Sequence, residues 1–158
     1  MQNVNINVTQ ILEYSNIPYR LLPHKKPVYT CEIAAAERCV PLDEMIKCLV
    51  LINEKDNTPI MVCVPADKRV SLSKVKKLIS TKSLRMASDS EILEKTGFIR
   101  GSIAPIGVPD NLRIIADFLI QTKEKVNIST GDPSIGVEIS FKDFNKIFKG
   151  EYNDIAEE

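Results

Sequence analysis

Apolar residues at Val4, Val8, Ile11 and Leu12 recur at helical spacing and stop before Pro18, which predicts an amphipathic helix over Val4 to Asn16. Tyr19 to Leu22 reads as a short strand and Pro23 to Pro27 as a loop. Thr30 stands where an N-cap belongs, ahead of Cys31 to Arg38, whose Ala34-Ala35-Ala36 run favours helix, and Pro41 breaks the chain again. The pattern then changes. Met45 to Ile52 is apolar apart from Lys47, Pro59 to Val64 is similar, and Asn53-Glu-Lys-Asp-Asn57 lies between them. Two buried strands joined as a hairpin, at the centre of a sheet, are expected.

The second half predicts a short basic helix over Leu72 to Ile79 and a helix opened by the Ser88-Asp-Ser-Glu91 capping box and closed at Gly97. Strands follow at Leu112 to Ala116, Val126 to Ser129 and Gly136 to Ser140, and Ser140 caps a last helix reaching about Phe148. Helices and strands are mixed without a repeated βα unit, so the expected class is α+β with a mainly antiparallel sheet. Residues 1–158 read as one domain with no linker, and the acidic tail 151–158 as frayed.

Composition adds limits. A chain of 158 residues, 44% hydrophobic and 27% charged, can bury one real core. No apolar run spans a bilayer and the first residues lack signal-peptide blocks, so a cytoplasmic protein is expected. Four cysteines (Cys31, Cys39, Cys48, Cys63) without Cys-x-x-Cys spacing, and His24 as the one histidine, argue against a metal site and for free buried thiols. A catalytic role for Cys39 or Cys48 lacks a partner base.

Charge is balanced overall, with 21 basic and 21 acidic residues, but it is segregated. Lys68, Arg69, Lys74, Lys76, Lys77, Lys82 and Arg85 form an acid-free run, while Glu151, Asp154, Glu157 and Glu158 close the chain. The basic run suits either a solvated helix face or a phosphate-binding patch. Lys47 interrupts the most apolar strand, so it either snorkels to the sheet edge or aims its ammonium into a pocket for an anion or polar substrate.

Gly101-Ser-Ile-Ala-Pro-Ile-Gly107 is poor in reactive side chains. It is either an ordinary turn or a loop that presents backbone N–H groups to a ligand, with Pro105 fixing φ.

Ile46-Lys-Cys-Leu-Val50, the Gly101 to Gly107 loop and Ser129-Thr-Gly-Asp-Pro-Ser-Ile-Gly-Val-Glu-Ile139 together resemble the YbaK/prolyl-tRNA synthetase editing-domain family, in order and in spacing. The resemblance runs from the Tyr19 strand to Ile139. It implies a single domain on a mostly antiparallel, barrel-like sheet with flanking helices, and trans-acting hydrolysis of mischarged aminoacyl-tRNA, with alanine or cysteine on the proline tRNA as substrate. By the same resemblance, Gly101, Ser102, Ile103, Ala104 and Pro105 hold the ester and Lys47 contacts the terminal adenosine or its phosphate. Substrate contacts are implied for Thr30, Cys48, Gly107, Gly131, Asp132 and Gly136, with His24 peripheral. The basic run becomes a tRNA contact, prolyl-tRNA synthetase a partner, and the protein a monomer without metal or cofactor. Gly101-Ser102 is also the variant of alanine-directed members, and alanine and cysteine both stay open. Two other functions remain alternatives: a non-catalytic module binding tRNA ends or nucleotides, and a hydrolase of small aminoacyl esters.

Overall fold

A computed structural model describes residues 8–158. Helix α1 (Val8–Tyr14) buries Val8 and Leu12, and the part of the predicted first helix around Val4 lies outside the described residues. Strand β1 (Arg20–Pro23) follows, then α2 (Cys31–Arg38), the hairpin β2 (Ile46–Asn53) and β3 (Thr58–Pro65), and α3 (Leu72–Leu78). The chain continues through β4 (Leu84–Met86), α4 (Asp89–Thr96), β5 (Arg113–Asp117), β6 (Lys125–Ser129), β7 (Ile135–Ser140), α5 (Phe141–Ile147) and β8 (Glu151–Asn153).

The caps form as the sequence predicts. Thr30 Oγ1 accepts from the Ile33 amide, and Ser88 and Glu91 complete a reciprocal capping box closed by Gly97 in the left-handed region. Each satisfies an amide that a helix start would otherwise leave unpaired.

Two sheets result. One has the order β1-β7-β6 and is antiparallel throughout; the other has the order β4-β2-β3-β5-β8. In the larger sheet the β2–β3 hairpin is central, as expected, while β5 joins β3 and β8 joins β5 in parallel. Antiparallel pairing predominates, so the expected α+β class holds. Among the described residues a bridge between Met45 and Asn127 links the two sheets, giving a barrel-like arrangement that does not close.

Strand alternation assigns each face. Val50, Ile52, Met61, Ile114, Val126, Ile128 and Val137 fill the main core together with Leu12 and Phe144. On the opposite face of the larger sheet, Leu51, Val62, Val64 and Ile115 pack against Val75 of α3 and Ile155. A third cluster seats Ala34 and Ala35 of α2 on Leu22, Val28 and Met45. Each fully buried Leu or Ile contributes about 1.5–3 kcal/mol by leaving water, so the two faces of β2 and β3 hold most of the fold.

The acidic tail is a correction. It is docked, not frayed: Glu151–Asn153 pairs with β5, Ile155 is wholly buried, and Asp117 Oδ1 accepts from the amides of Ile155 and Ala156 at 2.9 and 2.8 Å. The buried carboxylate and the apolar Ile155 together outweigh the exposed acidic side chains that suggested a loose end.

Candidate active site

Strand β4 pairs with β2 only from Leu51 to Asn53, which leaves the first half of β2 without a neighbour on that side. A cavity of about 270 Å³ opens there. It is lined by Tyr29, Thr30, Cys31 and Glu32 at the start of α2, by Ile46 to Val50 of β2, by Met86 and Ile92, by Arg100, Gly101 and Ile103, and by Ser129 at the end of β6. Three segments distant in sequence thus meet: the capped start of α2, the lysine-bearing strand and the glycine loop.

The loop is held by close backbone approach. Gly101 has φ +86°, and a Cβ there would stand 2.8 Å from the Tyr29 carbonyl oxygen. Only glycine permits both. Ser102 donates its amide to Ile99 at 3.0 Å, whereas the amides of Gly101, Ile103 and Ala104 have no protein acceptor among the described residues. Ser102, Ile103 and Ala104 are buried, and of these three Ile103 lines the cavity.

Lys47 lines the same cavity, and its Nζ donates to the Lys68 carbonyl at 2.7 Å. One of its donors is used in that bond, and two remain for a ligand.

Of the four free cysteines, expected to be buried, Cys39 is exposed and only Cys63 fully buried; the two that line the cavity, Cys31 and Cys48, are poor nucleophiles. Cys48 Sγ and Cys63 Sγ lie 3.6 Å apart, and the hydrogen bond that the protonated Cys48 thiol can give Cys63, followed by burial, pushes the Cys48 thiol well up. Burial likewise raises the Cys31 thiol, against the opposing pull of Lys47. Both favour the protonated form. Among the described residues no cluster of three or more His, Cys, Asp or Glu side chains could hold a metal ion.

The remaining predicted site residues are placed as follows. Lys47, Thr30, Cys48, Gly101 and Ile103 come together in the cavity. Ser102 and Asp132 border a much smaller cavity next to it, which shares Thr30, Cys31, Gly101 and Ser129 with the first. Pro105 and Gly107 line a separate hollow near α5, on Ile147 and Phe148. Ala104 is fully buried. Gly131, at φ +94°, packs on the Phe98 ring, and Gly136 lies under the Arg38 guanidinium. His24 is not at the cavity: its Nδ1 pairs with the Lys26 carbonyl at 2.8 Å and its amide with Ser134.

The basic run divides. Lys74 binds Asp154 at 2.9 Å and the Ala156 carbonyl, and Arg85 grips Glu91 with two bonds at 2.8 and 2.9 Å. These two charges are engaged within the molecule. The side chains of Lys68, Arg69, Lys76, Lys77 and Lys82 have no acidic partner among the described residues, and the Lys68 carbonyl also holds Lys47 Nζ. Sequence reasoning missed Tyr29, Met86 and Ser129 as lining residues. Tyr29 is 54% and Met86 48% exposed, which leaves an apolar rim around the opening. Only the position of Tyr29, next to the Thr30 cap, carried any signal.

Comparison with known proteins follows the same lines. The family model for the aminoacyl-tRNA editing domain matches residues 25–147. A proline--tRNA ligase of Aquifex aeolicus is 27% identical over 138 residues, which is 85% of this chain and 23% of the ligase. One from Thermosipho africanus is 34% identical over 99 residues, 60% of this chain and 17% of the ligase. The chain therefore spans about a fifth of the length of these relatives. Among solved structures, a hypothetical protein superposes with a TM-score of 0.84 at 26% identity, covering 95% of this chain and 99% of its own. A protein described as a candidate trans-editing enzyme for prolyl tRNA synthetase superposes with a TM-score of 0.82, covering 96% of this chain and 95% of its own. At 23% identity that second likeness is one of fold.

Proposed function

Because the chain belongs to the aminoacyl-tRNA editing-domain family, we propose that it is an aminoacyl-tRNA deacylase acting in trans, with alanine or cysteine on the proline tRNA as substrate. The observation that carries this reading is that Gly101 and Ile103, whose amides have no acceptor among the described residues, line the same small, largely apolar cavity as Lys47. An aminoacyl ester is already labile, so a site that positions it and stabilises an oxyanion is enough. Water adds to the ester carbonyl, the loop amides hold the resulting oxyanion, and the bond to the ribose oxygen breaks as that oxygen takes up the proton the water has lost.

In this reading Lys47 keeps its bond to Lys68 and contacts the terminal adenosine or its phosphate with its remaining donors. Ile46, Val50 and Ile103 surround the aminoacyl side chain. A methylene is worth only about 1–3 kcal/mol in such a pocket, which is why a proline-sized synthetic site admits smaller amino acids and a second sieve is needed. Lys68, Arg69, Lys76, Lys77 and Lys82 are the cations of the basic run left to meet the tRNA backbone. The described residues act as one editing-type domain, a monomer working in the cytoplasm beside prolyl-tRNA synthetase.

The test is release of labelled alanine and cysteine from mischarged proline tRNA by the purified protein, with Lys47→Ala in parallel. Hydrolysis of one ester, lost in the variant, is expected. Stoichiometric tRNA binding without turnover would make the protein a binding module instead. Equal turnover of aminoacyl esters lacking tRNA would make it a small-ester hydrolase.

A further inference from the structure

Arg38 ends α2 and is buried, with only 7% of its surface exposed. Its guanidinium lies flat on Gly136, where any Cβ would overlap it. Nε and Nη1 are shielded from solvent and have no hydrogen-bond partner, and Arg38 has no ion pair among the described residues. Ser102 Oγ, 1% exposed, is in the same condition. Both residues border the same cavity of about 20 Å³ beneath the Gly101 turn.

An unpaired buried charge is among the most costly features a fold can carry, and evolution normally pairs it or neutralises it. Two candidate counter-charges border the cavity, and neither serves. Asp132 commits Oδ1 to the Ser134 amide at 2.8 Å and makes no ion pair with Arg38. Cys31 has its thiol pushed up by burial, which keeps it neutral. The remaining polar side chains at the cavity, Thr30 and Ser129, carry no charge, and Thr30 Oγ1 already accepts from Ile33. What Arg38 and Ser102 jointly offer is donors and one positive charge.

We propose that Arg38 Nε and Nη1 together with Ser102 Oγ bind a small monovalent anion of chloride size under the glycine loop. A volume of about 20 Å³ suits a single water-sized or monatomic species. A water molecule also fits, and Nη2 is not among the shielded atoms, but water supplies no counter-charge beside Nε and Nη1. The ion ties the end of α2 to the second residue of the loop and so holds Gly101, which lines both this cavity and the larger one, from below. The site stands whether or not the protein is a deacylase.

Crystals grown in sodium bromide test it directly. An anomalous peak at hydrogen-bond distance from Arg38 Nε or Nη1 and from Ser102 Oγ is expected. In parallel, thermal unfolding is followed in sodium chloride and in sodium gluconate at equal ionic strength. With chloride at tenfold over its Kd, linkage predicts a Tm higher by on the order of 3 °C. Arg38→Gln and Ser102→Ala should each flatten that difference; if Arg38→Gln does not fold, Ser102→Ala and the bromide map carry the test. Water in place of bromide, or a side-chain pair between Arg38 and Asp132, overturns the proposal. So does a bromide peak without any Tm difference, which would mean an adventitious ion only.

Discussion

The Lys47 ammonium donates to the Lys68 carbonyl at 2.7 Å, so the charged residue of the most apolar strand is anchored at the edge of the candidate site. Lys47 also lines the cavity. Lys47→Ala should lower kcat/KM for aminoacyl-tRNA by about 100-fold, the scale for losing one charge-stabilising donor. Because the side chain is only partly buried, the same change should move Tm little. Steady-state kinetics alongside thermal unfolding checks both; a large Tm loss matching the activity loss would make the lysine structural.

Arg85 and Glu91 set a pH dependence. The Arg85 guanidinium, and after it the Ser88 amide, hold the Glu91 carboxyl down at about 2 from an ordinary value of 4.5. A carboxylate depressed in the folded state adds stability that is fully present above its unfolded pKa and is lost as pH falls through the folded one. The window is therefore from about 4.5 down to about 2. Wild type should lose more Tm across that window than Glu91→Gln, and the two curves should converge at its acid end. Because the pair is open to solvent, salt should shrink the difference.

Asp117 makes the tail part of the core. Its two carboxylate oxygens accept from Leu119, Ile155 and Ala156, and the side chain is fully buried at the end of β5. Asp117→Ala strands those amides and should cost on the order of 3 kcal/mol. Removing residues 151–158 should cost more, since it also uncovers the β5 edge and the cavity filled by Ile155. Denaturant unfolding of both variants measures this, and a truncation as stable as wild type would contradict the docked tail.

What the sequence made legible was local. Thr30, Ser88 and Ser140 each announce a helix by a side chain that caps an amide within three residues, and all three do so. The β2–β3 hairpin is visible because both strands are apolar on both faces. Strands β4 and β8, of three residues each, were not visible: Leu-Arg-Met and Glu-Tyr-Asn carry no strand pattern and become strands only because β2 and β5 present free edges. The site divides in the same way. Lys47 and the glycine loop stand out as departures from their surroundings. Arg38 looks like an ordinary basic residue in the last turn of a helix, and only the absence of a side chain at Gly136, on another strand, makes room to bury it.

Gly101 and Gly97 offer a paired experiment on the loop. Both sit in the left-handed region, at φ +86° and +82°. An alanine at either therefore carries a backbone cost of roughly 1–2 kcal/mol. They differ in space: a Cβ at Gly97 meets nothing within 4 Å, whereas one at Gly101 presses on the Tyr29 carbonyl at 2.8 Å. Neither chain segment can yield there without moving backbone, so Gly101→Ala should shift the amides of Ile103 and Ala104 as well as lower Tm. Gly97→Ala should lower Tm by a similar backbone term and leave deacylation unchanged. Gly101→Ala should lose about 100-fold in kcat/KM, the scale for displacing an oxyanion donor. Measured together, the pair separates strain from function: equal activity losses would mean that the loop acts only through stability.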